Sequence, residues 1–161
     1  MASRLTFFVL SFLAFLLVAC GPARERNFSA TAATTARAKV KFKETTAIFD
    51  STFAKSAEGE VEVTLYKNLP PPVVTLVLEP DGMVSFKGFG WSWHGEQKAA
   101  PAPVVPLLHI AKLYGTESSL PNGRREVHSP TLRVGMDVRK GRLRSACAVS
   151  NDGLYSAAVD F

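Results

Sequence analysis

Apolar and polar residues alternate along most of the chain from Lys39 onward. The stretch "EVEVTLY" at residues 60–66 is apolar at every second position, whereas "VVTLVL" at residues 73–78 is apolar on both sides. A period of two is typical of a half-buried β-strand, and a short unbroken apolar run is typical of a central strand. The pattern therefore predicts a mainly β domain with an antiparallel sheet.

Turn signals separate these strands. "EPDG" at residues 79–82 combines a proline, which fixes φ, with a glycine, which accepts a positive φ. "VRKGR" at residues 138–142 and "SNDGL" at residues 150–154 indicate two further hairpins. We expect about seven or eight short strands, arranged as an antiparallel β-sandwich or a small β-barrel.

Two segments depart from the alternation. Residues 45–59 fit either a strand with a wide turn or a short helix, because Phe49 and Phe53 also recur at helical spacing; the strand is the favoured interpretation. Residues 105–115, "VPLLHIAKLYG", have apolar side chains at helical spacing, with Pro106 in a position suited to the first turn of a helix. The sequence thus predicts one short helix beside the strands.

The N-terminus has the organisation of an export signal. A positive residue, Arg4, precedes an apolar run that ends at Ala19, and the polar stretch "GPARERN" begins at Gly21. The run is shorter than the roughly 20 residues that a membrane-spanning helix needs. We therefore predict a signal peptide at residues 1–19 and not a permanent transmembrane helix.

The last residues of this region, "LVAC" at residues 17–20, resemble the lipobox of bacterial lipoproteins. The resemblance implies that Cys20 is linked to a diacylglycerol, becomes the first residue after cleavage and is then acylated, for example with palmitate. This modification needs a thiol because the sulfur is the nucleophile, and several acyl chains hold a protein almost irreversibly in a membrane. In lipoproteins of this kind from bacteria with two membranes, Gly21 in place of an aspartate implies sorting to the outer membrane, with the domain on its periplasmic face; the inner membrane and the cell surface stay open as alternatives.

Composition suggests how the mature chain is organised. Residues 20–38 contain many Ala, Thr, Arg and Ser residues and little apolar periodicity, which is typical of a flexible tether. Residues 39–161 are long enough for one folded core. We therefore expect a lipidated cysteine and tether at residues 20–38, followed by a single β-rich domain.

The chain is mildly basic, with 19 Lys and Arg residues against 14 Asp and Glu residues. This balance is compatible with anionic surfaces, but no nucleic-acid-binding motif accompanies it. Four arginines are predicted on the polar side of one hairpin: Arg133, Arg139, Arg142 and Arg144. Two interpretations stay open, namely a solvated outer face and a contact with anionic lipid, glycolipid or an envelope protein.

Aromatic residues are concentrated in "FKGFGWSWHG" at residues 86–95. Read as one strand, this segment places Phe89, Trp91 and Trp93 on one face and small residues on the other. Such rings form part of a core or line a surface for a ligand or partner, because each ring offers a large, rigid contact area. Both interpretations stay open, and the core is favoured.

Catalytic motifs are not recognisable. The three histidines lack metal-ligand spacing, and no nucleophile elbow or phosphate-binding loop is present. The second cysteine, Cys147, alternates with Leu143 and is expected to be buried. The sequence therefore predicts a non-enzymatic lipoprotein without cofactor or metal; the alternative is a small-ligand carrier whose pocket is lined by Phe89, Trp91 and Trp93.

Overall fold

The computed structural model describes residues 28–68 and 70–161. The predicted signal peptide and the predicted lipidation site at Cys20 lie outside these residues. Strands and one α-helix make up most of the described chain. None of the helices among the described residues is long and apolar enough to cross a membrane.

Within residues 28–68 and 70–161, ten strands form one antiparallel sheet. In chain order they are β1 (Ala30–Phe42), β2 (Thr45–Ser56), β3 (Val61–Tyr66), β4 (Val74–Leu78), β5 (Met83–Gly88), β6 (Trp91–Glu96), β7 (Gly123–His128), β8 (Leu132–Arg139), β9 (Arg142–Ser150) and β10 (Tyr155–Asp160). The helices are α1 (Val105–Gly115) and two 3₁₀ turns, Gln97–Ala99 and Glu117–Ser119. The predicted mainly β class with one short helix is confirmed, whereas the predicted strand count was too low.

The order of strands across the sheet is β6-β5-β4-β3-β2-β1-β10-β9-β8-β7. The first six strands form one meander and the last four form another, and α1 lies between the two in sequence. The meanders are joined where β1 pairs with β10. The described strands thus belong to a single sheet and not to the two sheets of a sandwich, and its outermost strands are β6 and β7.

The helix covers one face of the sheet. It contacts strands of both meanders, most extensively β9, β10 and β3. Proline stands in its first turn, as the sequence predicts, because proline lacks the N–H that would otherwise be unsatisfied there. We call the side of the sheet that α1 covers the inner face and the opposite side the outer face.

Alternation along the strands sends apolar side chains to the inner face. Buried residues of the central strands include Phe53, Val63, Leu65 and Leu76, each 0% exposed. From the helix, Leu108 at 1% and Ile110 at 0% exposed complete this core. The core therefore occupies the space between sheet and helix.

Strand direction defines two ends of the sheet. The Ala30 end contains the start of β1 and the turns β2–β3, β4–β5 and β8–β9, together with the last residue of β10. The Lys43 end contains the turns β1–β2, β5–β6 and β9–β10 and the connection between β3 and β4. These two ends differ in surface chemistry, as described below.

β1 begins earlier than the composition predicts. Residues 30–38 were expected in a flexible tether, but they pair with β2 from Ala30 to Ala38. Three side-chain hydrogen bonds hold this part of the strand. Thr31 Oγ1 donates to the Lys55 carbonyl over 3.0 Å, Ser51 Oγ donates to the Ala36 carbonyl over 2.8 Å, and the hydroxyls of Thr34 and Tyr114 are 3.3 Å apart. Small Ala and Thr residues resemble a linker in composition, yet here they complete a strand.

Candidate functional site

A tight turn interrupts the segment that was predicted as one aromatic strand. Gly88 pairs with Trp91, so Phe89 and Gly90 form a two-residue hairpin turn between β5 and β6. Their φ angles are 51° and 83°, the positive values that such turns require. The prediction that Phe89 shares a strand face with both tryptophans is therefore wrong, because Phe89 occupies the turn.

Both tryptophans lie on the inner face of β6, opposite buried residues of β5. Trp91 and Trp93 are partly buried and pack against the core. Trp91 also contacts the Phe86 ring, at 4.6 Å between centroids. The favoured interpretation of these two rings as core residues thus agrees with their packing, although each keeps an exposed part.

Phe89 is 48% exposed. One side of its ring faces Phe49 of β2, at 6.3 Å between centroids. Another side borders an open groove of about 600 Å³, which we call the Phe89 groove. Its lining joins the β5–β6 turn to the β3–β4 connection and consists of Pro71, Pro72, Val73, Thr75, Lys87, Gly88, Phe89, Gly90, Trp91 and Ser92.

Exposed apolar side chains are concentrated near the Lys43 end. Five large ones are exposed in the described part of the chain, and all of them lie in turns or strand segments close to that end: Ile48, Val73, Phe89, Val127 and Leu154. Single exposed apolar residues are ordinary on protein surfaces, whereas contiguous apolar patches are typical of contact surfaces. The Phe89 groove lies in this region, and the rings of Phe89 and Trp91 border it.

The predicted arginines lie on or beside the β8–β9 hairpin, and all are exposed: Arg133, Arg139, Arg142 and Arg144. Arg139 pairs with Arg142 across a two-residue turn formed by Lys140 and Gly141. That turn lies at the Ala30 end, whereas Arg133 lies toward the Lys43 end of the same strand. The hairpin therefore brings Arg139, Arg142 and Arg144 together but leaves Arg133 apart.

β7 adds a basic residue that the sequence analysis did not include. Arg124 pairs with Asp137 of β8, and its Nε lies 3.7 Å from the Asp137 carboxylate. Arg139 also contacts that carboxylate, at 3.1 Å. Every residue of β7 is exposed, so "GRREVH" has no apolar alternation from which its strand could be predicted.

Cys147 is exposed, which corrects the prediction that it is buried. The register shifts by one residue between Asp137 and Val138, so Arg144 is an extra residue in β9. Such a bulge reverses the facing of the residues that follow it. As a result Leu143 remains in the core, 3% exposed, while Cys147 borders an outer-face hollow of about 510 Å³.

The three histidines contact different residues of the structure. His94 Nδ1 lies 2.9 Å from the Ser85 hydroxyl, and His128 Nε2 lies 3.1 Å from the Glu126 carboxylate. Within residues 28–68 and 70–161, no group of three or more His, Cys, Asp or Glu side chains is placed to hold a metal ion.

His109 is the half-buried histidine, and its Nδ1–H donates to the Val105 carbonyl over 3.2 Å. Burial lowers the pKa of its imidazole from the ordinary 6.5; the hydrogen bond opposes this shift and the Lys112 charge adds to it. The folded protein then binds fewer protons than the unfolded chain, so stability is fully present above the ordinary pKa and falls as the pH is lowered through it.

We expect the free energy of unfolding to decrease between about pH 7.5 and about pH 5.5 in wild type, and to decrease less in His109→Gln. Urea denaturation at several pH values measures the difference between the two proteins. Glu62 titrates in the opposite sense, because burial and the nearby Glu60 charge raise its pKa, but it is the same in both proteins. An identical pH dependence would contradict the prediction.

Comparison with known proteins adds no assignment: no protein-family model matches the chain, and no curated protein matches it either.

Proposed function

We propose that this protein is a lipid-anchored, non-enzymatic binding protein of the bacterial envelope. Its anchor is Cys20, and its contact surface is the Lys43 end of the sheet with the Phe89 groove. The observation that supports this proposal most directly is the separation of these two features. The chain from Cys20 enters the sheet at Ala30, whereas the exposed apolar residues lie near the opposite ends of the strands.

The distance between anchor and domain is short under this proposal. Ten residue steps separate Cys20 from Ala30, and an extended chain of that length spans at most roughly 33–36 Å. Because β1 begins at Ala30 and not at Lys39, fewer residues separate the anchor from the domain than the predicted tether of residues 20–38 contains. The domain stays near the membrane surface, and its Lys43 end points away from the anchor.

The outer membrane is the proposed location, with the domain on the periplasmic side. The support is Gly21, since the resemblance to lipoproteins implies outward sorting when aspartate does not follow the lipidated cysteine. Partners that fit are an envelope protein or an anionic glycolipid, because both an apolar groove and exposed arginines are available.

A photoreactive phenylalanine analogue in place of Phe89, introduced into the full-length protein in cells, tests the contact surface. We expect a discrete cross-linked product from position 89 and none from Lys98, which is 83% exposed at the Ala30 end and serves as the control position. Adding Trp91→Ala to the Phe89 analogue is expected to reduce the product, because Trp91 lines the same groove. Equal products from both positions would contradict a specific surface.

A small-ligand carrier is the second candidate, and the size of the Phe89 groove favours it. About 600 Å³ lies within the range of roughly 300–1,000 Å³ that is common for ligand pockets. The pocket differs from the predicted one, since Phe89 and Trp91 line it and Trp93 does not. Under this alternative, cross-linking at position 89 gives no protein product, and a bound small molecule changes the tryptophan fluorescence of the purified protein.

A further inference from the structure

The β8–β9 turn is the most basic feature at the Ala30 end. Lys140 and Gly141 form the turn, with φ angles of 54° and 68°, and Arg139 and Arg142 flank it. Arg144 follows in the bulge. We call the three residues Lys140, Arg142 and Arg144 the basic turn.

Side chains from the segment after α1 hold this turn in place. Gly141 N–H donates to the Asn122 side-chain oxygen over 3.1 Å, and Leu143 N–H donates to a Glu117 carboxylate oxygen over 2.9 Å. The main chain of Arg144 is fixed too, because its carbonyl accepts from Phe161 N–H over 2.9 Å. The charges of the basic turn are therefore presented on an ordered backbone.

No ion pair neutralises the basic turn within the described residues. Asp137 neutralises Arg139 and Arg124 instead, at 3.1 and 3.7 Å. The Glu117 carboxylate lies close to the turn, but one of its oxygens accepts from the Leu143 backbone. The three cations of the basic turn thus remain available to an external anion.

Strand pairing places the basic turn on the same side as the start of the chain. A row of paired residues crosses five strands of the sheet: Arg37, Asp160, Ser145, Asp137 and Arg124. Ala30 lies seven residues from Arg37 along β1, and Lys140 lies three residues from Asp137 along β8 and its turn. Both lie on the same side of the row, toward the Ala30 end. At about 3.3 Å per residue, the turn lies roughly 10 Å beyond the row and Ala30 roughly 23 Å beyond it.

The other half of the Ala30 end is acidic. Its turns contain exposed carboxylates such as Glu58 in the β2–β3 turn and Asp81 in the β4–β5 turn. A negatively charged surface near this end attracts the basic turn and repels these carboxylates. The chain between Cys20 and Ala30 spans at most roughly 33–36 Å, which is long enough to allow the domain to tilt.

We infer that the basic turn binds the phosphate groups of lipids in the anchoring membrane and tilts the domain toward β7–β9. This inference rests on the proposed lipid anchor at Cys20, which keeps the domain close to that surface. The occupant follows from charge complementarity and from the position at which the anchored segment enters the sheet. The Phe89 groove, at the other end of the strands, then stays accessible.

Energy transfer from a dye on Cys147 to an acceptor on lipid headgroups measures the tilt in the full lipidated protein. The sample is reconstituted in vesicles of phosphatidylcholine with and without phosphatidylglycerol. We expect transfer to rise with phosphatidylglycerol and to fall again at high salt, because salt screens exposed charges. A Lys or Arg near an anionic surface contributes about fivefold to binding, so replacing all three with glutamine shifts the docking equilibrium roughly a hundredfold.

The matched control removes the same charge from the Lys43 end. The variant Lys39→Gln, Lys43→Gln, Lys67→Gln is expected to behave as wild type, whereas Lys140→Gln, Arg142→Gln, Arg144→Gln loses the rise. Equal transfer in both vesicle types for wild type, or equal loss in both variants, would overturn the inference. Vesicle flotation tests the anchor separately: protein that floats without tilting contradicts only the basic turn, and protein that does not float contradicts both proposals.

Discussion

Replacing Cys20 with serine is expected to abolish lipidation and to leave an uncleaved precursor that keeps residues 1–19. A serine hydroxyl is a far weaker nucleophile than a cysteine thiolate and cannot form the thioether. Each acyl chain of the wild type contributes about 0.8 kcal/mol of membrane binding per buried methylene group. The variant has no acyl chain, so we expect its lipid anchoring to be lost completely. Intact mass and detergent partitioning measure both changes.

Cys147→Ser is the matched control for this substitution. Cys147 is exposed on the outer face and lies far from the predicted processing site in sequence. We expect this variant to have the same acyl mass and the same detergent partitioning as wild type. Wild-type protein without acyl mass, or a Cys20→Ser protein that is still processed and lipidated, would contradict the anchor.

Truncation of Phe53 to alanine is expected to lower the free energy of unfolding by about 3–5 kcal/mol, the usual cost for a buried phenylalanine. Phe53 is 0% exposed, and its ring meets those of Phe161 and Tyr114 at 4.8 and 5.5 Å between centroids. Phe161 and Tyr114 also stack on one another, with 9° between their planes. The substitution therefore opens a cavity where β2, α1 and the residue after β10 meet.

Urea denaturation of the mature protein in detergent, followed by tryptophan fluorescence, measures this loss. The control is Ile48→Ala on the same strand, because Ile48 is 61% exposed and the substitution is expected to change stability by no more than about 0.5 kcal/mol. A loss below about 1 kcal/mol for Phe53→Ala would mean that this ring is not packed as described.

Alternation and helical spacing were sufficient to predict the strands and the helix that are buried on one side and more exposed on the other. β3 has this pattern, and α1 begins where its proline indicates. The strand interpretation of residues 45–59 was also right, since Phe49 and Phe53 both face the core from β2. In each case, packing against the core requires apolar residues at a regular spacing along the sequence.

Other elements could not be predicted because no burial pattern specifies them. β7 is exposed throughout, so only its hydrogen bonds with β8 make it a strand. Residues 30–38 have too few large apolar side chains to show the alternation that is typical of a strand. At the candidate sites, one local feature of the backbone made each of two predictions wrong. A turn displaced Phe89 from the strand, and a single extra residue, Arg144, turned Cys147 outward.

The pairing of β1 with β10 has a consequence for the order in which the sheet is completed during folding. Strands β2 to β6 each find a neighbour that precedes them in the chain, so the first meander assembles through local contacts. The second long side of β1 stays unpaired until Tyr155–Asp160 are in place, and these residues follow β1 in the chain only after β2 to β9. Closing such a long loop is slow, because the entropy cost comes before the contacts form. Until then β1 is an open edge, at which a folding intermediate is most exposed to pairing with another chain.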